Sequence, residues 1–405
     1  MEGKENRLSK GTFSVTTVLY YAGLFFLIVS RLIDLISFST ELLYPAMMLS
    51  RYLKMLLIWF VFIHLCISAG SALGVEFLKI ERRNAAIRSC LILIRTGVMF
   101  WLLLTKIPGF RTEPFYMVLS TYLVVLSSGK RFESIVKAFV IAYAAILMTA
   151  LLGQIFGFTL DNVKNMSYGA KHSLGMVHPN TAAHVILMIV TGIWLLYLHG
   201  KKKETFLLFA GAATVISLWI HCRTVIIALI LMAVLLLLEE RWKAENRKIV
   251  KYIVAASPLF CFLVTLVLCI PIDLMHHLTY HNMLFSIGER FVQSGIAIRE
   301  YGLPFIGHAI DTSGAIRMMV DGEKIRLFVM DNAFVSYGVI LGLIWLIPSL
   351  TWLCTANLKA WNSKKYELIV YGLVMSVFAI LERRGLDPAF NLMFFYPLTF
   401  HKTKG

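Results

Sequence analysis

The amino-acid sequence predicts an all-α fold, a polytopic integral membrane helical bundle of 11 to 12 transmembrane helices with one large extracytoplasmic loop. Three observations predict it. Of 405 residues, 59% are hydrophobic and 15% charged, against about 25% charged in an average soluble domain, so the apolar surface exceeds what a water-soluble core absorbs. The apolar residues fall in long runs, comparable to the roughly 20 residues a helix needs to cross about 30 Å of hydrocarbon. Lys and Arg gather in alternate breaks between those runs, which orients the bundle.

Taken in order, the runs place spans near 12–30, 53–70, 87–105, 113–128, 134–156, 178–198, 204–220, 224–238, 249–270, 332–355 and 366–381, with a weak twelfth at 390–400. The stretch 204–238 exceeds one crossing, since at about 1.5 Å per residue it would reach past 50 Å. Its polar break is His221, Cys222, Arg223 and Thr224, which makes it two short helices. With Lys4, Arg7 and Lys10 on the cytoplasmic side, "KIERRNAAIR", "GKRFESIVK", "HGKKKE", "EERWKAENRKIVK", "NLKAWNSKK" and "HKTKG" are inside as well. Residues 271–331 then form the large outside loop within a single integral membrane domain, 1–405. The first apolar run has no small-residue cleavage pattern and is expected to be a retained span. Arg95, mid-span, is expected to face the bundle interior, because a charge facing lipid costs a few kcal/mol or more. Arg383 and Arg384 are expected to be headgroup anchors.

Several functions are disfavoured at this level. The net charge of +16 is accounted for by the inside loops, and no basic helix or aromatic platform stands apart to bind nucleic acid. Six cysteines without CxxC spacing imply neither disulfide staples nor a metal site. Among His276, His277 and His281, the pair His277 and His281 has i, i+4 spacing but no third partner of known geometry, so no metal is expected. No glycine-rich phosphate loop or other cofactor motif is visible. The absence of an internal repeat counts against a transporter.

Chemistry is expected at the outer ends of the helices. In "GMVHPNTAAH", Pro179 suits the first helical position, which makes His178 the cap and puts Asn180 in the first turn. The free amides of such a helix start form an anion site. Asp331 and Asn332 make a similar cap for the span after the loop. The loop itself balances five basic residues (Arg290, Arg299, Arg317, Lys324, Arg326) against seven acidic ones (Asp273, Glu289, Glu300, Asp311, Asp321, Glu323, Asp331). Particular side chains must therefore matter more than bulk charge. Within "GERFVQSGIAIREYG" (288–302), helical spacing puts Phe291, Gly295 and Ile298 on one face. Arg290 and Arg299 are nine residues apart, about 900° around a helix, and so lie on opposite faces. Arg290 is the candidate that points into a site, and Arg299 pairs with an acid or a headgroup.

The ordered set of His178-Pro179-Asn180, Arg223 at the tip of a helix pair, "GERF", "PFIGHAID" with His308, and "DNAFVSYGVILGL" resembles the Wzy-type polysaccharide polymerases of the O-antigen ligase superfamily. The likeness covers roughly residues 170–350. Where that family often has Ser-Gly-Arg this chain has Gly288, Glu289 and Arg290, and where it often has His-Asn it has Asp331 and Asn332. The resemblance implies a metal-independent glycosyltransferase without cofactor in the bacterial cytoplasmic membrane. Such an enzyme moves a growing glycan from a polyprenyl pyrophosphate carrier to an incoming lipid-linked repeat unit at the outer face. Catalytic roles fall to Arg290, Arg223 and His178, and substrate binding to Asn180, His308, Asp331 and Asn332. The implied partners are the polyprenyl-pyrophosphate-linked oligosaccharide, membrane lipids, a flippase and a chain-length regulator. Two alternatives stay open at this point, an O-antigen-type ligase and a transporter or flippase of lipid-linked oligosaccharide.

Overall fold

An apolar run of 24 residues forms the first long helix, α1 (Phe132–Ile155), in a computed structural model. The structure describes residues 20–25, 33–50, 130–166, 169–198, 200–245, 248–280, 285–308, 317–320, 323–326 and 330–399, with isolated positions at 29, 52, 53, 56, 120, 123, 124, 127 and 310. The expected spans 53–70 and 87–105, with Arg95, and most of 12–30 and 113–128 lie outside the described residues. Phe132, Ile135, Phe139, Tyr143, Ile146 and Ala150 follow helical spacing and bury one face of α1. Ile141, Met148, Leu152 and Ile155 leave the other face exposed and apolar. A helix apolar all round belongs in a large core or a membrane.

A short antiparallel hairpin, β1 (Lys164–Met166) and β2 (Gly169–Lys171), leads into α2 (Pro179–Ile193), which a π-helical turn extends to Leu198. Gly192 lets α1 and α2 close together, since a Cβ there would overlap Val140. Helix α3 (Lys202–Val215) ends in a second π-helical turn, and His221 at φ 52° reverses the chain into α4 (Arg223–Glu245). The tight break expected at 221–224 is thus where the two short helices meet.

Helices α5 (Lys248–Ala255) and α6 (Ser257–Cys269) form an apolar pair bent by 62°, the shape of a broken span or a re-entrant loop. Pro258 explains the bend. It has no N–H to give Val254, four residues back, and its ring crowds that carbonyl. Asn357 replaces the missing donor: its Nδ2 donates to Val254 O at 3.3 Å and to Ser257 Oγ at 3.2 Å. Gly372 makes room for that amide, because a Cβ there would overlap Asn357 Oδ1. Asn357→Leu is therefore expected to lower stability by about 1–3 kcal/mol, the cost of a stranded buried carbonyl, seen as a lower melting temperature in detergent. An unchanged melting temperature would show that the bend needs no such donor.

The segment expected as a large loop is itself folded. It carries α7 (Ile272–Tyr280), α8 (Phe285–Tyr301) and a hairpin of β3 (Arg317–Val320) and β4 (Glu323–Arg326). Gly295 brings α8 against the end of α6, where a Cβ would overlap Cys269 O. The expected span 332–355 is split into α9 (Ala333–Ile340) and α10 (Leu343–Asn362). Gly342 at φ 81° makes the break, and the strap 304–308 crosses it, with Leu343 N donating to Pro304 O and His308 N to Val339 O. Helix α11 (Tyr366–Leu381) completes the bundle.

The weak twelfth span is not a helix crossing. Residues 392–394 and 396–398 are short 3₁₀ turns, and a stretch near 11 residues falls short of the roughly 20 a helical crossing needs. This segment is packed inside the bundle, where Ala389 O accepts from Tyr143, Phe394 O from Trp352, and Tyr396 O, Pro397 O and Thr399 O all accept from Lys359 Nζ.

The chain is mostly helical, as expected. Among the described residues three helices are long and apolar enough to cross a membrane, Phe132–Ile155, Pro179–Leu198 and Lys202–Ile220, and a fourth is reached if the bent α5–α6 pair is one span. Arg223–Leu238 and Tyr366–Leu381 are shorter apolar helices.

Candidate functional site

Residues distant in sequence converge at one end of the bundle, where α2, α4 and α9 begin and α11 ends. The approach to α2 is fixed first. Asp161 Oδ1 accepts from Ser173 N (2.7 Å) and Leu174 N (3.1 Å), while Oδ2 meets His172 Nδ1 at 2.6 Å. Partial burial alone would raise the Asp161 pKa, but these donors outweigh it and hold the carboxyl below its usual value. His178 then caps α2, its Nδ1 accepting from Asn180 N at 3.1 Å with Pro179 in the first turn, which is the local geometry its sequence predicts.

The centre is an ion-paired network around Glu382, the residue after α11. Its Oε1 accepts from Arg290 Nη1 at 2.8 Å and from Thr224 Oγ1 at 2.7 Å. Its Oε2 lies 3.5 Å from His184 Nε2. Arg384 Nη1 reaches His184 Nδ1 at 2.5 Å, and Arg384 Nη2 donates to Thr181 Oγ1 at 2.9 Å. An arginine has no lone pair to offer. The proton of a neutral His184 therefore sits on Nε2, pointing toward Glu382. Arg290 Nη1 also donates to Leu381 O, an open carbonyl at the end of α11. Its Nε faces Asp331 Oδ2 at 3.5 Å. Arg290 thus pairs with Glu382 and Asp331, while Asp273 lies 4.0 Å from Arg299.

Burial differs sharply between the two acids. The Glu382 side chain is 6% exposed and the Asp331 side chain 35%. Partial burial raises the Asp331 pKa, Arg290 draws it back, and Glu382 and Glu289 push it up again, leaving it above the usual carboxylate value. The charges balance, with Arg290 and Arg384 against Glu382 and Asp331. Arg383 adds a positive charge, its guanidinium stacked on the Tyr337 ring at 5.3 Å.

Of the sequence-predicted residues, Arg290 and Asp331 meet in this network, and His178 and Asn180 stand at the start of the helix that carries Thr181 and His184. Asn332 is occupied structurally: its Oδ1 caps α9 through Val335 N, and its Nδ2 donates to Ile380 O at 2.7 Å. Arg223 is exposed at the start of α4, and His308 is exposed beside Tyr301. Arg384 is not the headgroup anchor expected, because it turns inward onto His184 and stacks over Phe390 at 4.8 Å. Arg383 turns inward too. Cys222 is buried, at 2% exposure, so its position in a tight break does not make it accessible.

Sequence reasoning missed Glu382, His184, Thr181, Thr224 and Arg384 as site residues. The available signal was polarity inside or at the end of apolar runs, which marks function in membrane proteins. "TAAH" and "ERR" both carried it.

His184, Cys222 and Glu382 also place one ligand atom each within 4.8 Å of one another, a set the sequence did not reveal. It suits a cation poorly. Arg290 and Arg384 already bind two of the three residues, and their charges oppose a divalent ion. Burial, then the Glu382 carboxylate, raise the Cys222 pKa.

Compared with protein-family models, curated proteins and solved structures, the chain matches none.

Proposed function

We propose that the chain is a metal-independent polysaccharide polymerase of the bacterial cytoplasmic membrane, with 11 spans and residues 271–331 on the outer side. It would transfer a growing glycan from a polyprenyl pyrophosphate carrier to an incoming lipid-linked repeat unit. The observation that carries this reading is the gathering of Arg290, Glu382, Asp331, His184 and Arg384 where several helices end. Transfer from a lipid pyrophosphate requires fixed positive charge where the leaving group develops negative charge. Arg290 is held there by Glu382 and Leu381 O, and its Nη2 has no protein partner among the described residues. That open nitrogen carries two N–H donors that can meet the phosphate of the leaving group. The substrate's lipid tail would lie along the apolar faces of the bundle, its sugars at the polar end. The flippase that delivers the repeat and a chain-length regulator are the proposed partners.

Deleting the gene separates this reading from its alternatives. Loss of a polymerase leaves the surface carrying glycan of a single repeat. Loss of a ligase instead leaves full-length polymer on its lipid carrier, and loss of a flippase leaves the repeat unit on the inner leaflet. Glycan size by gel and the sidedness of the lipid-linked pool are the measurements; either of the last two patterns would reject the polymerase.

A further inference from the structure

The site holds several groups that could take a proton, and their surroundings sort them. Glu382 is buried and accepts two hydrogen bonds on Oε1, with His184 against Oε2. Both of its oxygens are thus engaged within the network. His184 is 3% exposed, and its Nδ1 faces Arg384. His178 spends Nδ1 on the cap of α2. Asp331 differs from all three. Its side chain is 35% exposed, and among the described residues its one ion pair is the 3.5 Å approach to Arg290 Nε, which leaves acceptor positions toward the same arginine that would receive a leaving pyrophosphate.

Glu289 is the nearest rival. It precedes Arg290 on α8, and successive helical residues point about 100° apart, so it does not share the direction of Arg290. Asp331 approaches Arg290 from a separate element, the start of α9.

We infer that Asp331 is the general base that activates the acceptor sugar hydroxyl, an inference that rests on the polymerase reading. As the acceptor oxygen bonds to the anomeric carbon, the bond from that carbon to the pyrophosphate oxygen breaks. Its electron pair stays on the departing lipid pyrophosphate beside Arg290. The hydroxyl proton passes to an Asp331 carboxylate oxygen and then to water. Arg290 thus serves both halves of the step, stabilising the leaving anion and holding the base against the site.

The charged groups acting on Asp331 are Arg290 and Glu289 on α8 and Glu382 and Arg384 on the turn after α11. Partial burial raises its pKa, with Glu382 and Glu289 adding to the rise and Arg290 and Arg384 opposing it. Because the base acts ionised, the rate should fall as pH drops through that raised value and hold above it. This is the direction that suits a base working near neutral pH.

The test uses the purified full-length protein in detergent with a synthetic lipid-linked repeat unit, comparing wild type with Asp331→Asn, Asp331→Ala, Asp331→Glu and Glu289→Gln. Asp331→Asn should slow extension by about 100-fold to 10,000-fold, the range for a lost general base, and should abolish the acid limb of the pH profile. Formate should restore part of the rate to Asp331→Ala, an effect that a structural role would not produce. Asp331→Glu should retain activity with a displaced acid limb, and Glu289→Gln should stay near wild type. Near wild-type extension by Asp331→Asn, an acid limb that survives in it, or loss confined to Glu289→Gln would each overturn the assignment while leaving the polymerase standing. Wild-type protein that extends nothing would overturn both.

Discussion

Arg290→Ala is expected to leave surface glycan at one or a few repeats, because extension slows about a hundredfold, the scale of removing a donor to a developing anion. Two effects would combine. The leaving pyrophosphate loses the Nη2 donors, and Glu382 loses a 2.8 Å partner. Arg290→Lys separates them. Lysine still compensates Glu382, so the fold is kept, but it lacks the planar pair of donors, and glycan of intermediate length should result. Arg299, exposed and 4.0 Å from Asp273, is the contrast: Arg299→Ala should give wild-type glycan. Chain length on a gel, with membrane levels checked by blotting, is the readout. Full-length glycan from well-expressed Arg290→Ala would sink the mechanism.

The largest effect on stability is expected from Glu382→Gln. The amide keeps the volume and can still accept from Thr224, but the negative charge that holds Arg290 and faces His184 is gone. Removing one partner of a buried ion pair costs about 3–5 kcal/mol. The melting temperature in detergent should fall accordingly. Combining Glu382→Gln with Arg290→Met removes both charges and should recover part of the loss without recovering activity, since the coupling between neighbours is non-additive. A double variant no more stable than Glu382→Gln alone would show that the pair does not hold this end of the bundle together.

What the sequence made legible follows from what each signal measures. Hydrophobic run length located α1, α2 and α11 closely, because a helix apolar on every face needs no periodicity to be seen. Polar residues in a tight break located the reversal between α3 and α4. Helical spacing separated Arg290 from Arg299, and capping chemistry placed His178, Pro179 and Asn332. The bend at Pro258 and the split at Gly342 were hidden inside runs that looked continuous, because hydropathy does not register backbone geometry. Residues 390–400 looked like a weak span because they are apolar, yet Phe390, Leu392, Met393, Phe394, Phe395 and Tyr396 are buried inside the bundle.

The site was half legible for a related reason. Arg290 and Asp331 were conspicuous in a polar segment. Their anchor Glu382 is 92 residues beyond Arg290, and His184 is nearly 200 residues before that, so only the fold could bring them together. Arg384 was misjudged because a basic residue at a span end usually faces headgroups, and nothing local marks one that turns inward.

The central claim is tested most directly by incubating purified wild-type protein with a single defined lipid-linked repeat unit and resolving the products by size. The account predicts a ladder rising by one repeat per step, formed in the presence of chelator and accompanied by release of polyprenyl pyrophosphate. A substrate that stays at one repeat, or a ladder that appears only when a divalent metal is added, would contradict it.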